Sequence, residues 1–253
     1  GQDVVKSQAP ALERGLNLVE LINLEEELTF SQLEQKSGIN TSSLNRILKV
    51  LLSKGYIHKN SHGNYELGPK LYLFSQSQSV WKLLISKASP LLHDISDKFE
   101  VTVPLFAFLS NNEITVLDKV VSPTNVAMRK VGEEKDDFIA SPWGFLFLAE
   151  LEPQERKEFI KQNRAHYHCD IKPISDDNLP ELIKEAEKNG YADDKGLVYG
   201  NVRRFAVPIY GMDGTIIAAI GAGTFAYKKK KKEVVELCEY MKAEAEKIEY
   251  EIR

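Results

Sequence analysis

Hydrophobic positions in the first 75 residues repeat mostly at helical spacing. Leu12, Leu16, Val19 and Ile22 follow Pro10, a residue suited to a first turn, and predict a helix ending near Glu25, Glu26 and Glu27. Ser31 ahead of Gln32, Leu33, Glu34, Gln35 and Lys36 predicts a short second helix with Ser31 as its cap, broken at Ser37 and Gly38. Ile39 is expected to pack inward. From Asn40 to Lys54, the residues Leu44, Ile47, Leu48, Leu51 and Leu52 form one apolar stripe, with Asn40 or Thr41 as cap. Gly55 ends this third helix. Two short β-prone runs, 56–59 and 64–67, flank an Asn60-Ser61-His62-Gly63 turn and predict a hairpin.

Farther along, Leu71, Leu73 and Phe74, then Val80, Trp81, Leu83, Leu84 and Ile85, bracket a polar Ser75-Gln76-Ser77-Gln78-Ser79 run. The spacing reads as one continuous helix with an exposed polar turn. Ser89-Pro90 then predicts a fresh helix carrying Leu91, Leu92, Ile95 and Phe99. Residues 101–109, 114–121 and 126–131 are β-rich, with residues 110–113 as a turn. Ser141-Pro142 is a cap and first-turn pair for a helix over 143–151, followed by helices over 153–163 and 179–189. A second hairpin spans 203–210 and 215–223 around Gly211-Met212-Asp213-Gly214, and a long helix closes the chain. Two hairpin blocks flanking helices predict a mixed sheet covered by helices on one or both faces.

At 253 residues the chain can bury a sizeable core, and 43% hydrophobic with 28% charged residues is the balance of a globular protein. No apolar run approaches the roughly 20 residues a membrane span needs. The first 15 residues lack the apolar core of a signal peptide, so the expected location is the cytoplasm. Cys169 and Cys238 are too few for a disulfide framework and fit a reducing compartment. The net charge of -4 conceals an asymmetry. Residues 36–75 carry six basic residues against Glu66 alone, a net +5, whereas residues 1–35 carry two basic against seven acidic, a net -5. Positive charge is therefore concentrated around the third helix, as a phosphate-facing surface requires.

The polar face of that helix carries Thr41, Ser42, Ser43, Asn45, Arg46 and Lys49. Hydroxyls, an amide and two cations are the groups that reach base edges and phosphates in a major groove. Alone, the stretch reads equally as an amphipathic helix with a solvated face. The preceding glycine turn and the following hairpin change that reading, because helix, short turn, helix and hairpin make a winged helix-turn-helix. Lys59, His62 and Asn64 are expected at the wing, near the phosphate backbone; His58 and His62 read more simply as surface histidines.

These residues carry a family resemblance. Arg14-Gly15-Leu16, the run Leu33 to Gly38, Thr41-Ser42-Ser43-Leu44-Asn45-Arg46-Ile47-Leu48, Leu51, Gly55-Tyr56-Ile57 and Tyr65-Glu66-Leu67-Gly68-Pro69 resemble the winged helix of the IclR family of bacterial transcriptional regulators. Val131-Gly132, Ile139-Ala140-Ser141, Gly144, Leu148-Ala149, Asn189-Gly190-Tyr191-Ala192 and Ala206-Val207-Pro208-Ile209 before Gly214 resemble its GAF-like effector domain. The resemblance implies an α+β protein of two domains: a winged helix-turn-helix over 1–74, a linker helix over 75–88, and a GAF-like effector-binding domain over 89–253. It also implies double-stranded operator DNA and a small-molecule effector as partners, and a homodimer or homotetramer. By resemblance the effector site comprises Met128, Ser141, Trp143, Asp193, Asp194, Arg204, Gly221 and Gly223. Independently, a helix N-terminus capped at Ser141 offers N–H groups to a carboxylate, although such a cap also occurs with no ligand.

The chain departs from the family pattern at this site. Trp143 stands where a small residue is usual, Phe145 where Lys is frequent, Arg204 where Cys or another small residue is frequent, and Gly221 and Gly223 where Ser is common. The departures predict a reshaped pocket in which Arg204 pairs an anionic effector or closes on Asp194, unless it is simply an exposed strand residue.

Other chemistry fares poorly. Gly221-Ala222-Gly223-Thr224-Phe225-Ala226 matches a dinucleotide fingerprint, but only a helix remains before Arg253 and the second parallel strand is missing. His166, His168, Cys169 and Asp170 lack the spacing of a structural zinc site and read as a polar loop. Lys228 to Lys232 reads as the solvated start of a helix. No nucleophile elbow or P-loop is present, and no cofactor, metal or catalytic residue is expected. Two hypotheses remain: an effector-modulated transcriptional regulator, and a GAF-like small-molecule enzyme or sensor whose winged helix serves protein contacts.

Overall fold

The computed structural model describes residues 7–109, 113–123, 134–135, 138–163 and 174–253. The chain divides into two compact units, residues 1–78 and 79–253.

In the first unit, α1 (Pro10–Glu25), α2 (Phe30–Ser37) and α3 (Thr41–Lys54) precede a two-stranded antiparallel wing, β1 (Ile57–Lys59) and β2 (Tyr65–Leu67), and a short α4 (Pro69–Ser75). The cap of α2 is Thr29 rather than Ser31: its hydroxyl accepts from the Gln32 N–H while the Gln32 side chain accepts from the Thr29 N–H. This reciprocal capping box satisfies two otherwise orphaned donors, which a cap at Ser31 would not. Gly38 follows α2 at φ +66°, a left-handed conformation that turns the chain within three residues. Asn40 caps α3 by accepting from the Ser43 N–H at 3.0 Å. Asn40→Ala is expected to cost about 1 kcal/mol of stability, measured by urea unfolding.

The core of this unit joins Leu18, Ile22, Leu33, Ile39, Leu44, Leu48, Ile57 and Tyr65. On α3, Leu44 and Leu48 are fully enclosed, whereas Ile47, Leu51 and Leu52 are half-buried. The buried face of α1 is Gly15, Leu18 and Ile22; Leu12 and Leu16 point outward, 64% and 55% exposed. Spacing alone fixed the period of α1 but not its phase. Gly15 lies on the inward face, opposite Ile47 of α3.

The polar run after Phe74 breaks the helix instead of continuing it. Residues 76–79 are non-helical, and Ser79 caps the next helix by accepting from the Lys82 N–H. That helix, α5 (Val80–Phe99), runs unbroken through Pro90, so no new helix starts at Ser89-Pro90. Leu84, Ala88, Leu92, Ile95 and Phe99 keep one buried stripe across the proline, and their packing outweighs the lost backbone hydrogen bond.

The second unit continues with β3 (Val103–Phe108), β4 (Ile114–Val120), β5 (Glu134–Lys135), a 3₁₀ turn (Phe138–Ala140), α6 (Pro142–Glu150), α7 (Pro153–Asn163), α8 (Asn178–Asn189), β6 (Ala192–Asp193), β7 (Val202–Tyr210), β8 (Ile216–Phe225) and α9 (Lys231–Ile252). The sheet order is β5-β4-β3-β8-β7-β6, and every described pairing is antiparallel rather than mixed. Alternation sends Phe205, Val207, Ile209, Ala218, Ile220 and Ala222 to one face, against α5 and α9. Phe106, Ala206 and Ala219 face the other way, toward α6 and α8. The sheet is thus buried on both faces. The expected strand over 126–131, the turn residues 110–112 and the loop carrying His166, His168, Cys169 and Asp170 lie outside the described residues. No helix among the described residues is long and apolar enough to cross a membrane.

Candidate DNA interface and effector site

The polar face of α3 is solvent-facing. Thr41, Ser42, Asn45, Arg46 and Lys49 are exposed, and Ser43 is half-buried behind the Asn40 cap. The Thr41 hydroxyl donates to the Glu34 carboxylate on α2, so Thr41 ties the two helices together. Arg46 and Ser43 also border a groove of about 710 Å3 between α1 and α3, which includes Leu12, Leu16 and Val50.

The wing is built around Asn60. Its side-chain oxygen accepts from the His62 and Asn64 N–H groups at 3.0 and 3.1 Å, and its amide donates to Glu66 and Glu27. This arrangement fixes the loop and leaves His62 exposed. Lys59 lies with its ammonium 5.0 Å from the centre of the Tyr65 ring. Leu28 and Tyr65 exchange backbone hydrogen bonds, which anchors β2 to the segment before α2. The roles of Asn60, Glu27 and Glu34 were not visible in the sequence, where nothing marks a contact 33 residues apart such as Asn60 to Glu27.

In the second unit, the Ser141 hydroxyl caps α6 by accepting from the Gly144 N–H at 3.2 Å. Beside it Trp143 and Phe106 pack as a tilted pair with ring centres 4.3 Å apart, and both are fully buried. Arg204 is 3% exposed, which excludes an exposed strand residue. Its Nε donates to Asp194 Oδ2 at 2.7 Å and its Nη2 to the Ala140 carbonyl at 2.6 Å. The guanidinium lies between the rings of Trp143 and Tyr199, 5.1 and 4.8 Å from their centres. The other Asp194 oxygen accepts from the Arg204 and Gly196 backbone N–H groups. The carboxylate is therefore fully engaged inside the protein, and Arg204 closes on Asp194.

Gly223 is directly opposite Arg204 across the β7–β8 pair. At Gly221 a Cβ would stand 2.9 Å from Phe106 Cε2 and 3.1 Å from Pro104 Cγ, so the missing side chain makes room for Phe106. Asp193 does not join this group. It binds Arg203 through both oxygens, to Nε at 3.0 Å and Nη2 at 2.5 Å, and neighbouring strand residues point to opposite faces. The Asp193 hydrogen bond raises the Arg203 pKa above its ordinary value and opposes the effect of burial. Met128 lies outside the described residues. Ser141, Trp143, Asp194, Arg204, Gly221 and Gly223 thus converge on one side of the sheet. Phe106 and Tyr199 belong with them, although neither carries a sequence signal beyond being aromatic.

A winged helix-turn-helix followed by a separate, two-faced α/β unit defines a DNA-binding regulator with a sensing domain. The sequence model of the IclR helix-turn-helix domain matches residues 11–61, and that of the bacterial transcriptional regulator IclR C-terminal domain matches residues 80–250. The chain belongs to the IclR family of bacterial transcriptional regulators, with an N-terminal DNA-binding and a C-terminal ligand-binding domain. The transcriptional repressor IclR of Escherichia coli K12 is 23% identical over 190 residues, 74% of this chain and 69% of its own length. The HTH-type transcriptional regulator XynR of the same strain is 25% identical over 217 residues, 85% of each. Among solved structures, an IclR transcriptional regulator from Alicyclobacillus acidocaldarius matches with a TM-score of 0.78 at 16% identity, covering 98% of this chain and 100% of that one. An IclR homolog from Microbacterium hydrocarbonoxydans, complexed with 4-hydroxybenzoate, matches with a TM-score of 0.76 at 22% identity over 96% and 99%. At these identities the structures establish a shared fold. The named relatives are regulators, which favours the first of the two sequence hypotheses over an enzyme.

Proposed function

We propose that this protein binds operator DNA as a homodimer or homotetramer through α3 and the wing, and that an anionic small molecule modulates it through Arg204. The observation that carries the DNA reading is the exposed set Ser42, Asn45, Arg46 and Lys49 on a helix whose other face is locked by Leu44 and Leu48. Major-groove readout needs such a rigidly presented polar face. Ser43, His62, Asn64 and Lys59 flank it as candidate backbone contacts, with Thr41 holding the helix in place. One winged helix reads too few bases for a useful specificity ratio, so a second copy is required. The exposed Leu12, Leu16 and Val50 offer it an apolar surface.

For the effector, the supporting feature is an unused edge of a buried cation. The Nη1 of Arg204 has no hydrogen-bond partner among the described residues, while Nε and Nη2 are taken. An acid oxygen there completes the guanidinium's donors. The 4-hydroxybenzoate bound by the Microbacterium homolog is accordingly the first probe.

The test is a salt titration of purified protein on genomic fragments that it selects. Operator affinity should fall steeply, with a log-log slope of about -0.9 per neutralised phosphate, and the stoichiometry should be at least two chains per site. Flat binding to every duplex would refute the reading and favour a winged helix used for protein contacts.

A further inference from the structure

A cavity in the effector unit lies away from Arg204. The groove between α7 and α8 has a volume of about 590 Å3, within the range of small-molecule sites. Pro153, Ile160 and Pro180 supply its apolar surface over the buried Leu179 and Ile183, while Arg156, Lys157 and Lys161 stand along the α7 side against a single acid, Asp176. Neither Lys157 nor Lys161 has an ion-pair partner among the described residues. Two charges left unpaired beside apolar side chains complement an anion with a hydrophobic body.

Arg156 links this groove to the fold. Its Nη2 donates to the carbonyls of Ala149 and Leu151 at the end of α6 and to Glu187 of α8, at 3.0, 3.3 and 2.6 Å. Its Nε is buried and has no hydrogen-bond partner. The helix α7 itself buries no residue completely, so the Arg156 clamp is a main fastening between it and its neighbours.

We propose that this groove is a second ligand site, specific for an amphipathic monocarboxylic acid, with the carboxylate among Arg156, Lys157 and Lys161 and the apolar body on Pro153, Ile160 and Pro180. Occupancy adds a counter-charge beside Arg156, whose Nη2 holds the C-terminus of α6. The opposite end of α6 carries Ser141 and Trp143, so one helix connects the groove to the Arg204 group.

Calorimetric titration of the full chain with sodium octanoate and with 1-octanol tests the site without DNA. Octanoate should saturate with one equivalent per chain, and octanol should bind about tenfold more weakly. Replacing both exposed lysines, Lys157→Gln with Lys161→Gln, should weaken octanoate about five- to tenfold and leave octanol unchanged. The proposal fails if octanoate does not saturate in the millimolar range, if octanol binds equally well, or if the lysine variant binds octanoate as tightly as the unaltered chain.

Discussion

Arg204→Ala should cost the effector unit about 3 to 5 kcal/mol, because it leaves the Asp194 carboxylate buried and stripped of its counter-charge. The loss has a second source: the guanidinium fills the space between Trp143 and Tyr199 and holds the Ala140 carbonyl next to the α6 cap. Urea unfolding monitored by circular dichroism measures it as a lower midpoint at unchanged slope. Asp194→Asn combined with Arg204→Met should recover much of the loss. An amide oxygen still accepts from the Gly196 and Arg204 backbone N–H groups, and no net charge remains buried. A loss below about 1 kcal/mol for Arg204→Ala would mean that the pair behaves as an exposed one, contrary to its burial.

Arg46→Ala should weaken operator binding by about 1 to 3 kcal/mol if the guanidinium makes a bidentate contact to guanine, roughly five- to 150-fold in affinity. Arg46 is exposed on α3 and has no part in the core formed by Leu44 and Leu48, so stability should be nearly unchanged. Fluorescence anisotropy on operator and scrambled duplexes separates the outcomes. Equal loss on both would assign Arg46 to phosphate contact, with a shallower salt slope. Because Arg46 also borders the groove containing Leu12 and Leu16, sedimentation of the variant is informative. Loss of the oligomer with weakened DNA binding would place Arg46 at the contact between copies.

Each unit offers a different lesson about how sites are assembled. In the DNA-binding unit, side chains a few residues apart on α3 share a face and act together, so a continuous stretch of chain specifies most of the surface. In the effector unit, the Arg204 guanidinium is completed by groups from Ala140 of the 3₁₀ turn, Trp143 of α6, and Asp194 and Tyr199 of the β6–β7 connection. The second kind of site tolerates fewer single substitutions, since each partner's burial depends on the others.

The sequence by itself determined the helix-turn-helix and wing. Helical spacing on α3, the Asn40 cap, the turn at Gly38 and the Asn60–Gly63 turn are local features that require no distant partner. The same local rules located α6 to α9 and the β7–β8 hairpin. Only tertiary packing decided the rest. The core shared with α2, α3 and the wing set which leucines of α1 face inward, and a buried stripe carried α5 through Pro90. Strand alternation divided Asp193 from Asp194, two adjacent carboxylates that sequence had grouped together. Arg204 became a buried, paired cation through a carbonyl 64 residues away and a carboxylate across an edge strand. Periodicity reports which side chains share a face of their own element. Burial between two layers of helices depends on what the opposite layer supplies, and that information is distributed over the whole chain.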